Sequence, residues 1–145
     1  MDTKQYLKIN YNWTGTKIIS EDEIIALYKK EGYINLPLEL VKFLTFFYNT
    51  EFNFSNNNID FNIKRILRRN PYYLRYEQFC TLLNVSNITP FAEIDYGYTV
   101  LICDKRNNIY GICDDIVTNY GNDYFKMIDY IITNTNKGVA IGSIK

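Results

Sequence analysis

The chain has 145 residues, a formal net charge of zero and no histidine. This length predicts one domain over residues 1–145, and the zero net charge lacks the basic excess typical of nucleic-acid-binding proteins. Without histidine, the chain can form neither a Ser-His-Asp nor a Cys-His catalytic site, nor a metal site with histidine ligands. Three cysteines without a CxxC motif, no apolar run near 18 residues and no apolar leader predict a cytoplasmic protein outside the membrane.

The first half of the sequence predicts two helices followed by a hairpin. Ser20 opens a capping box, and Gly32 occupies the position of a left-handed residue after the helix end. A second helix is predicted to begin at Pro37. Apolar and polar residues then alternate over 52–54 and 59–63, on either side of a Ser-Asn-Asn-Asn turn, which indicates a hairpin.

The second half of the sequence predicts two short helices, three strands and a closing helix. The expected bounds are 64–69 and 71–83 for the helices, and 92–95, 99–103 and 109–114 for the strands. Asn122 or Asp123 is expected to cap the last helix, and residues 133–145 to form a loose tail or an edge strand. This order predicts an α+β fold with a largely antiparallel sheet flanked by helices.

Few residue patterns in the chain point to chemistry. No glycine-rich phosphate-binding motif occurs. Asp114 and Asp115 are either a carboxylate pair for a magnesium ion or a solvated strand end. Cys103 has no base to activate it, which indicates a buried thiol. We therefore expect no catalytic residues, no cofactor and no metal, and hence a protein that is not an enzyme.

A basic segment lies in the middle of the chain, where only one acid accompanies five cations over residues 61–90. Its spacing suits a solvated helix face, a contact with an acidic protein, or binding to a phosphate backbone. The last interpretation defines the alternative function, a nucleic-acid-binding or regulatory adapter module. The five cations are Lys64, Arg65, Arg68, Arg69 and Arg75.

Three motifs follow one another along the chain: LPLELVKFLTFFYN at 36–49, NPYYLRYEQFCTLLNVSNITPFAEI at 70–94 and TVLICDKRNNIYGI at 99–112. In this order they resemble the SUKH superfamily of bacterial toxin-immunity proteins, and most of all its third subgroup. An amphipathic helix after them also fits, so the resemblance spans about 13–132 and leaves 133–145 as a tail. Asparagines stand in the turn where the family usually has glycine, and asparagine also adopts positive φ.

The resemblance implies an α+β domain that binds a cognate toxin domain and neutralises it inside the producing cell. Such toxins are commonly nucleases or deaminases, and the expected mechanism is occlusion of the toxin at or beside its active site. The resemblance supplies no catalytic residues. It implies a protein partner, and neither a small-molecule substrate nor nucleic acid is expected.

The expected partner surface lies in the strand region and combines acids with tyrosines. Tyrosines there are either anchors for a partner or residues that cover the core edge. Glu93 and Asp95, two positions apart on a predicted strand, form either a contact patch or a solvated face. The candidate partner-binding residues are Glu93, Asp95, Tyr96, Tyr98, Asp114, Asp115 and Tyr120.

Overall fold

A computed structural model describes residues 2–70, 76–85, 87–114, 116–133 and 140–143. The helices formed by these residues are α1 (Thr3–Tyr11), α2 (Glu21–Lys30), α3 (Leu38–Phe47), α4 (Ile63–Arg69), α5 (Tyr76–Leu83) and α6 (Tyr124–Ile132). The strands are β1 (Glu51–Asn53), β2 (Asn58–Asp60), β3 (Thr89–Ile94), β4 (Thr99–Cys103), β5 (Ile109–Cys113), β6 (Ile116–Asn119) and β7 (Ala140–Ser143). The 3-10 turn Asp95–Gly97 follows β3.

The strands form one antiparallel sheet in which each strand pairs with the next along the chain, from β1 to β7. Ile59 of β2 pairs with Ile94 of β3, and Val100 of β4 pairs with Ile112 of β5. The predicted α+β fold with a largely antiparallel sheet is therefore confirmed. In such a meander, every second connection lies at the same end of the sheet.

The predicted end signals of α2 are present. The Ser20 hydroxyl oxygen accepts a hydrogen bond from the Glu23 amide at 3.1 Å. At the other end Gly32 has φ +89°, and the Tyr33 amide donates to the Tyr28 carbonyl at 3.0 Å. This left-handed ending satisfies a carbonyl that the helix leaves unpaired.

Some elements differ from those that the sequence predicts. The periodicity does not predict α1, because only Thr3 and Leu7 of this helix are buried. It also does not predict β6, a short strand with Val117 as its buried residue. The predicted helix 71–83 lies outside the described residues over 71–75, and the remainder forms α5. The edge-strand prediction for the tail is confirmed by β7.

An aromatic cluster joins α3 and α6 and fixes the helices on the sheet. The ring of Phe43 stacks on those of Phe47 and Tyr124, with centroids 4.6 and 4.9 Å apart. Trp13 stacks on Phe47 at 4.7 Å, and its indole nitrogen donates to the Phe46 carbonyl at 2.8 Å. Stacked aromatic pairs add about 0.5–1.5 kcal/mol each to the burial of their area. Phe91 of β3 packs edge-on against Tyr124, with ring centroids 5.4 Å apart, so the cluster also contacts the sheet.

Candidate partner-binding surface

The connections after β1, β3 and β5 lie at one end of the sheet. Val100 pairs with Ile112, and continuing this register places Tyr98 across from Asp114. Four of the candidate partner-binding residues therefore lie together in the turns at this end of the sheet. This turn-end surface comprises Asp95, Tyr96, Tyr98 and Asp114.

Two tyrosines project from the turn-end surface into solvent. The exposed fraction is 63% for Tyr96 and 80% for Tyr98, which makes Tyr98 the most exposed large hydrophobic residue among the described part of the chain. Tyr110, by contrast, is buried and covers the core. Tyr96 and Tyr98 therefore have the exposure that a partner anchor requires, whereas Tyr110 covers the edge of the core.

The backbone that carries the exposed tyrosines has an unusual conformation. Asp95, Tyr96 and Gly97 have φ values of +53°, +55° and +97°, three left-handed residues in succession. Left-handed φ is uncommon in residues other than glycine, and each such residue costs about 1–3 kcal/mol unless its surroundings hold it. The turn therefore needs support from the rest of the fold.

Two buried asparagines, Asn57 in the β1–β2 connection and Asn58 at the start of β2, supply that support. The Asn57 side chain donates to the Asp95 carboxylate at 2.8 Å, and its oxygen accepts from the Asp95 amide at 2.8 Å. The Asn58 side chain accepts from the Tyr96 amide at 2.7 Å. Thr99 also donates to the Asp95 carboxylate, at 2.7 Å. Asp95 is exposed to solvent. Both oxygens of its carboxylate nevertheless accept hydrogen bonds, and these bonds shape the turn.

The structure corrects the place of Glu93. Its side chain is buried, and its carboxylate lies 3.2 Å from the Arg69 guanidinium and 3.8 Å from that of Arg65. Asp60, which is opposite Glu93 in the sheet, forms a second ion pair with Arg65. Glu93 therefore lies beneath the surface, and it does not form an exposed patch with Asp95, which lies past the end of β3.

Tyr120 is half-buried beside the sheet. A Cβ atom at Gly111 would lie 2.7 Å from the Tyr120 ring, so the missing side chain of Gly111 makes room for this ring. Burial raises the pKa of Tyr120, and the negative charge of Asp95 raises it further. Tyr120 therefore lies near the turn-end surface as a packing residue, and less exposed than Tyr96 and Tyr98.

Asp114 is exposed and has φ +52°, so β5 ends one residue earlier than predicted. Asp115 lies outside the described residues. Within the described residues, no three side chains of the metal-ligating types are grouped around a common point. The exposed position of Asp114 fits the interpretation as a solvated strand end.

The basic segment is divided by the fold. Arg65 and Arg69 form ion pairs with the buried acids Asp60 and Glu93, so their charges are partly neutralised within the protein. Lys64 and Arg68 are exposed on α4. Arg75 lies outside the described residues. In the described part of the segment, fewer unpaired positive charges are therefore available to a phosphate backbone than the sequence suggests.

Cys103 is buried, as its sequence context predicts, and burial raises its pKa to about 12. The thiol is therefore protonated at neutral pH and is a poor nucleophile.

None of the described helices combines the length and the apolar character that a membrane crossing requires. Comparison of the chain with protein-family models, with curated proteins and with solved structures finds no match in any of the three.

Of the site, the sequence indicated the two exposed tyrosines but not the residues that hold them. Asn57 and Asn58 were part of a turn signal in the sequence, yet their partners are 38 positions further along the chain. No local sequence pattern predicts a hydrogen bond between residues so far apart along the chain. The three consecutive asparagines Asn56–Asn58 were the only available sign, because this residue type forms side-chain bonds to backbone amides.

Proposed function

We propose that the protein is an immunity protein, which binds a cognate toxin domain through the turn-end surface and neutralises it by occlusion. The class of partner comes from the resemblance of the motif order to the SUKH superfamily. The exposure of Tyr96 and Tyr98 supports the turn-end surface as the proposed place of binding. The proposed location of this interaction is the cytoplasm of the producing cell.

The observation that supports binding most strongly is the exposure of Tyr96 and Tyr98 on a braced, left-handed turn. Tyrosine is enriched among the residues that contribute most to protein interfaces. A surface that is ordered before binding loses little conformational entropy when the partner arrives. Left-handed backbone held by buried side chains is also a recurrent property of functional sites.

The charge around the tyrosines suits a partner with a basic surface. Asp114 and Asp95 are exposed on the turn-end surface, and the positive charge of Arg69, which lies beside Gly97, is paired with the buried Glu93. Acidic groups at the rim of an interface speed the encounter with a basic partner and contribute less to the final affinity. We therefore expect salt to slow association more than it speeds dissociation.

A growth experiment tests the proposal. The toxin domain encoded beside this chain's gene is induced in a host cell with or without the chain. We expect growth to be restored by the intact chain and lost again with the double variant Tyr96→Ala/Tyr98→Ala. An intact chain that neither restores growth nor binds the toxin domain at micromolar concentration would contradict the proposed function.

A further inference from the structure

A cleft formed by described residues lies at the opposite end of the sheet from the turn-end surface. Its volume is about 690 Å³, and its walls come from α1, α3, the start of α6 and the β4–β5 turn. We call it the basic cleft. Cavities that hold small ligands have volumes of about 300–1,000 Å³.

Four cations line the basic cleft. Lys4 and Lys8 come from α1, Lys42 from α3 and Arg106 from the β4–β5 turn. Among the described residues, none of the four forms an ion pair with a carboxylate, in contrast to Arg65 on α4. Cations that line a cleft without direct ion pairs favour the binding of an anion.

Two carboxylates also line the cleft, those of Glu39 and Asp123, so the lining carries four positive and two negative charges, a net charge of +2. The carboxylate of Asp123 caps α6, since it accepts from the Phe125 and Lys126 amides at 2.9 and 3.1 Å. A phosphate monoester carries a charge of about −1.5 to −2 at neutral pH. The net charge of the lining is therefore opposite in sign to that of a phosphate group.

Aromatic side chains form the floor of the cleft. Phe46 and Phe125 are partly exposed, and Trp13, Phe43 and Tyr124 are buried behind them. The Lys4 ammonium lies 5.0 Å from the centre of the Phe125 ring, so a cation and an aromatic face are adjacent. A floor of this kind suits a planar ring, which gains about 1–3 kcal/mol by stacking on an aromatic side chain.

The turn that carries Arg106 is held in place. The Asp104 carboxylate accepts hydrogen bonds from the Arg106 amide at 2.8 Å and from the Asn108 amide at 2.9 Å. The Tyr124 hydroxyl donates to the Asn107 side chain at 2.7 Å, which ties the turn to the cleft floor. A guanidinium on a fixed turn suits bidentate contact with phosphate oxygens.

We propose that the basic cleft binds a nucleoside phosphate, with the phosphate near Arg106 and Lys42 and the base over the aromatic floor. The volume, the net charge and the adjacency of cations to aromatic faces together favour this ligand over a simple anion. An acidic protein segment is less favoured, because a stable protein contact needs about 800 Å² on each partner and the cleft is a compact concavity. Binding here is separate from binding at the turn-end surface, so either can be lost without the other.

Isothermal titration calorimetry of the full chain with ADP tests this proposal. We expect saturable binding that Arg106→Gln and Lys42→Gln each weaken about tenfold, the usual scale for one charge-assisted hydrogen bond. Lys64→Gln removes an equally exposed cation from α4, outside the cleft, and is expected to leave the affinity unchanged. Adenosine and pyrophosphate are each expected to bind more weakly than ADP. The circular dichroism spectrum and the unfolding midpoint establish that each variant is folded.

Four outcomes would overturn the proposal. The first is the absence of binding at millimolar ADP. The second is an affinity for pyrophosphate equal to that for ADP, because the aromatic floor would then contribute nothing. The third is an equal loss of affinity in Lys64→Gln and in the cleft variants, which would indicate non-specific charge attraction. The fourth is tighter binding of poly-L-glutamate than of ADP, which would assign the cleft to an acidic protein segment.

Discussion

At the scale of single residues, Tyr98 is the side chain on which the proposed interface depends most. It is 80% exposed, so its removal costs the folded protein little, whereas a tyrosine buried in an interface contributes strongly to binding. We expect Tyr98→Ala to weaken toxin binding by about 10- to 30-fold, or about 1.4–2 kcal/mol, with the free energy of unfolding changed by less than about 0.5 kcal/mol. Surface plasmon resonance and urea unfolding measure the two quantities.

Ile34→Ala provides the matched control for Tyr98→Ala. Ile34 is 62% exposed, lies just beyond α2 and is not one of the residues of the turn-end surface. Its replacement also removes an exposed apolar side chain, and we expect no change in toxin binding. An equal loss of affinity in both variants would show that general surface hydrophobicity, and not the turn, carries the interaction.

The buried acids beneath the turn-end surface contribute to stability instead of contact. Asp60 accepts a hydrogen bond from the Asn62 amide at 2.8 Å and forms an ion pair with Arg65. We expect Asp60→Asn to lower the free energy of unfolding by about 1–2 kcal/mol, since Arg65 is partly exposed and solvent screens the pair. Urea unfolding checks the value.

The ion pair between Lys17, which precedes α2, and Glu21, at the start of α2, offers a comparison for Asp60→Asn; the two charged groups are 3.7 Å apart. Glu21→Gln removes a carboxylate from an ion pair that solvent reaches, for which a loss of about 0.2–1 kcal/mol is typical. Equal losses from Asp60→Asn and Glu21→Gln would mean that the burial of Asp60 adds nothing to the strength of its interactions.

At the scale of elements, the β3–β4 turn depends on the freedom of glycine at position 97. A Cβ atom there would meet only the Arg69 guanidinium, at an ordinary 3.6 Å, so the obstacle is the φ of +97° and not a lack of space. We expect Gly97→Ala to lower the free energy of unfolding by about 1–2 kcal/mol. It should also weaken toxin binding, because relief of the strain reorients Tyr96 and Tyr98. Unfolding and binding measurements on the same variant separate the two effects.

Gly121→Ala is the control for the turn. Gly121 has φ +87° with open space around it, and it lies at the opposite end of the sheet, where its carbonyl accepts from the Ile109 amide at 2.7 Å. We expect a similar loss of stability and no loss of toxin affinity. Retention of full toxin binding by Gly97→Ala would show that the conformation of the β3–β4 turn does not matter for the partner.

The elements also show what sequence patterns can and cannot predict. The capping residue Ser20 and the glycine after α2 act within one helical turn, and such local signals gave α2 correctly. The strand Thr99–Cys103 was likewise predicted from its continuous apolar residues. Elements without a strong local pattern, α1 and β6, were missed. The asparagine bonds that shape the β3–β4 turn join distant segments, so no local rule predicts them.

At the scale of the whole molecule, buried acidic groups make the fold sensitive to alkali. Burial raises the pKa of Cys103 from 9 to about 12 and also raises those of Tyr110 and Tyr124. The folded state therefore binds these protons more tightly than the unfolded state, so the associated stability is complete below pH 9 and is lost as pH rises. Each pH unit between 9 and 12 should lower the free energy of unfolding by about 1.4 kcal/mol through Cys103 alone.

Urea unfolding at pH 7, 9 and 10.5 measures this dependence. The Cys103→Ala variant provides the comparison, because it lacks the thiol but keeps the tyrosines. We expect its stability to start lower, through the lost packing, and to fall less steeply with pH than that of the unaltered chain. A stability that stays constant from pH 9 to 10.5 would contradict the account of the buried thiol.

The whole molecule presents two different surfaces at the two ends of one sheet. The turn-end surface carries exposed tyrosines and acids, whereas the basic cleft carries cations over an aromatic floor. The sequence indicated the first surface through its tyrosines and acids. It did not indicate the cleft, because Lys4, Lys42 and Arg106 are far apart along the chain and only the fold brings them together.

The central claim is that the turn-end surface contacts the toxin domain, and hydrogen exchange of the chain with and without that domain tests it most directly. The proposed interface predicts slower amide exchange over 95–98 and at Asp114 in the complex, with exchange in α4 and around the basic cleft unchanged. Protection confined to α4 or to the basic cleft, with residues 95–98 unaffected, would contradict the claim.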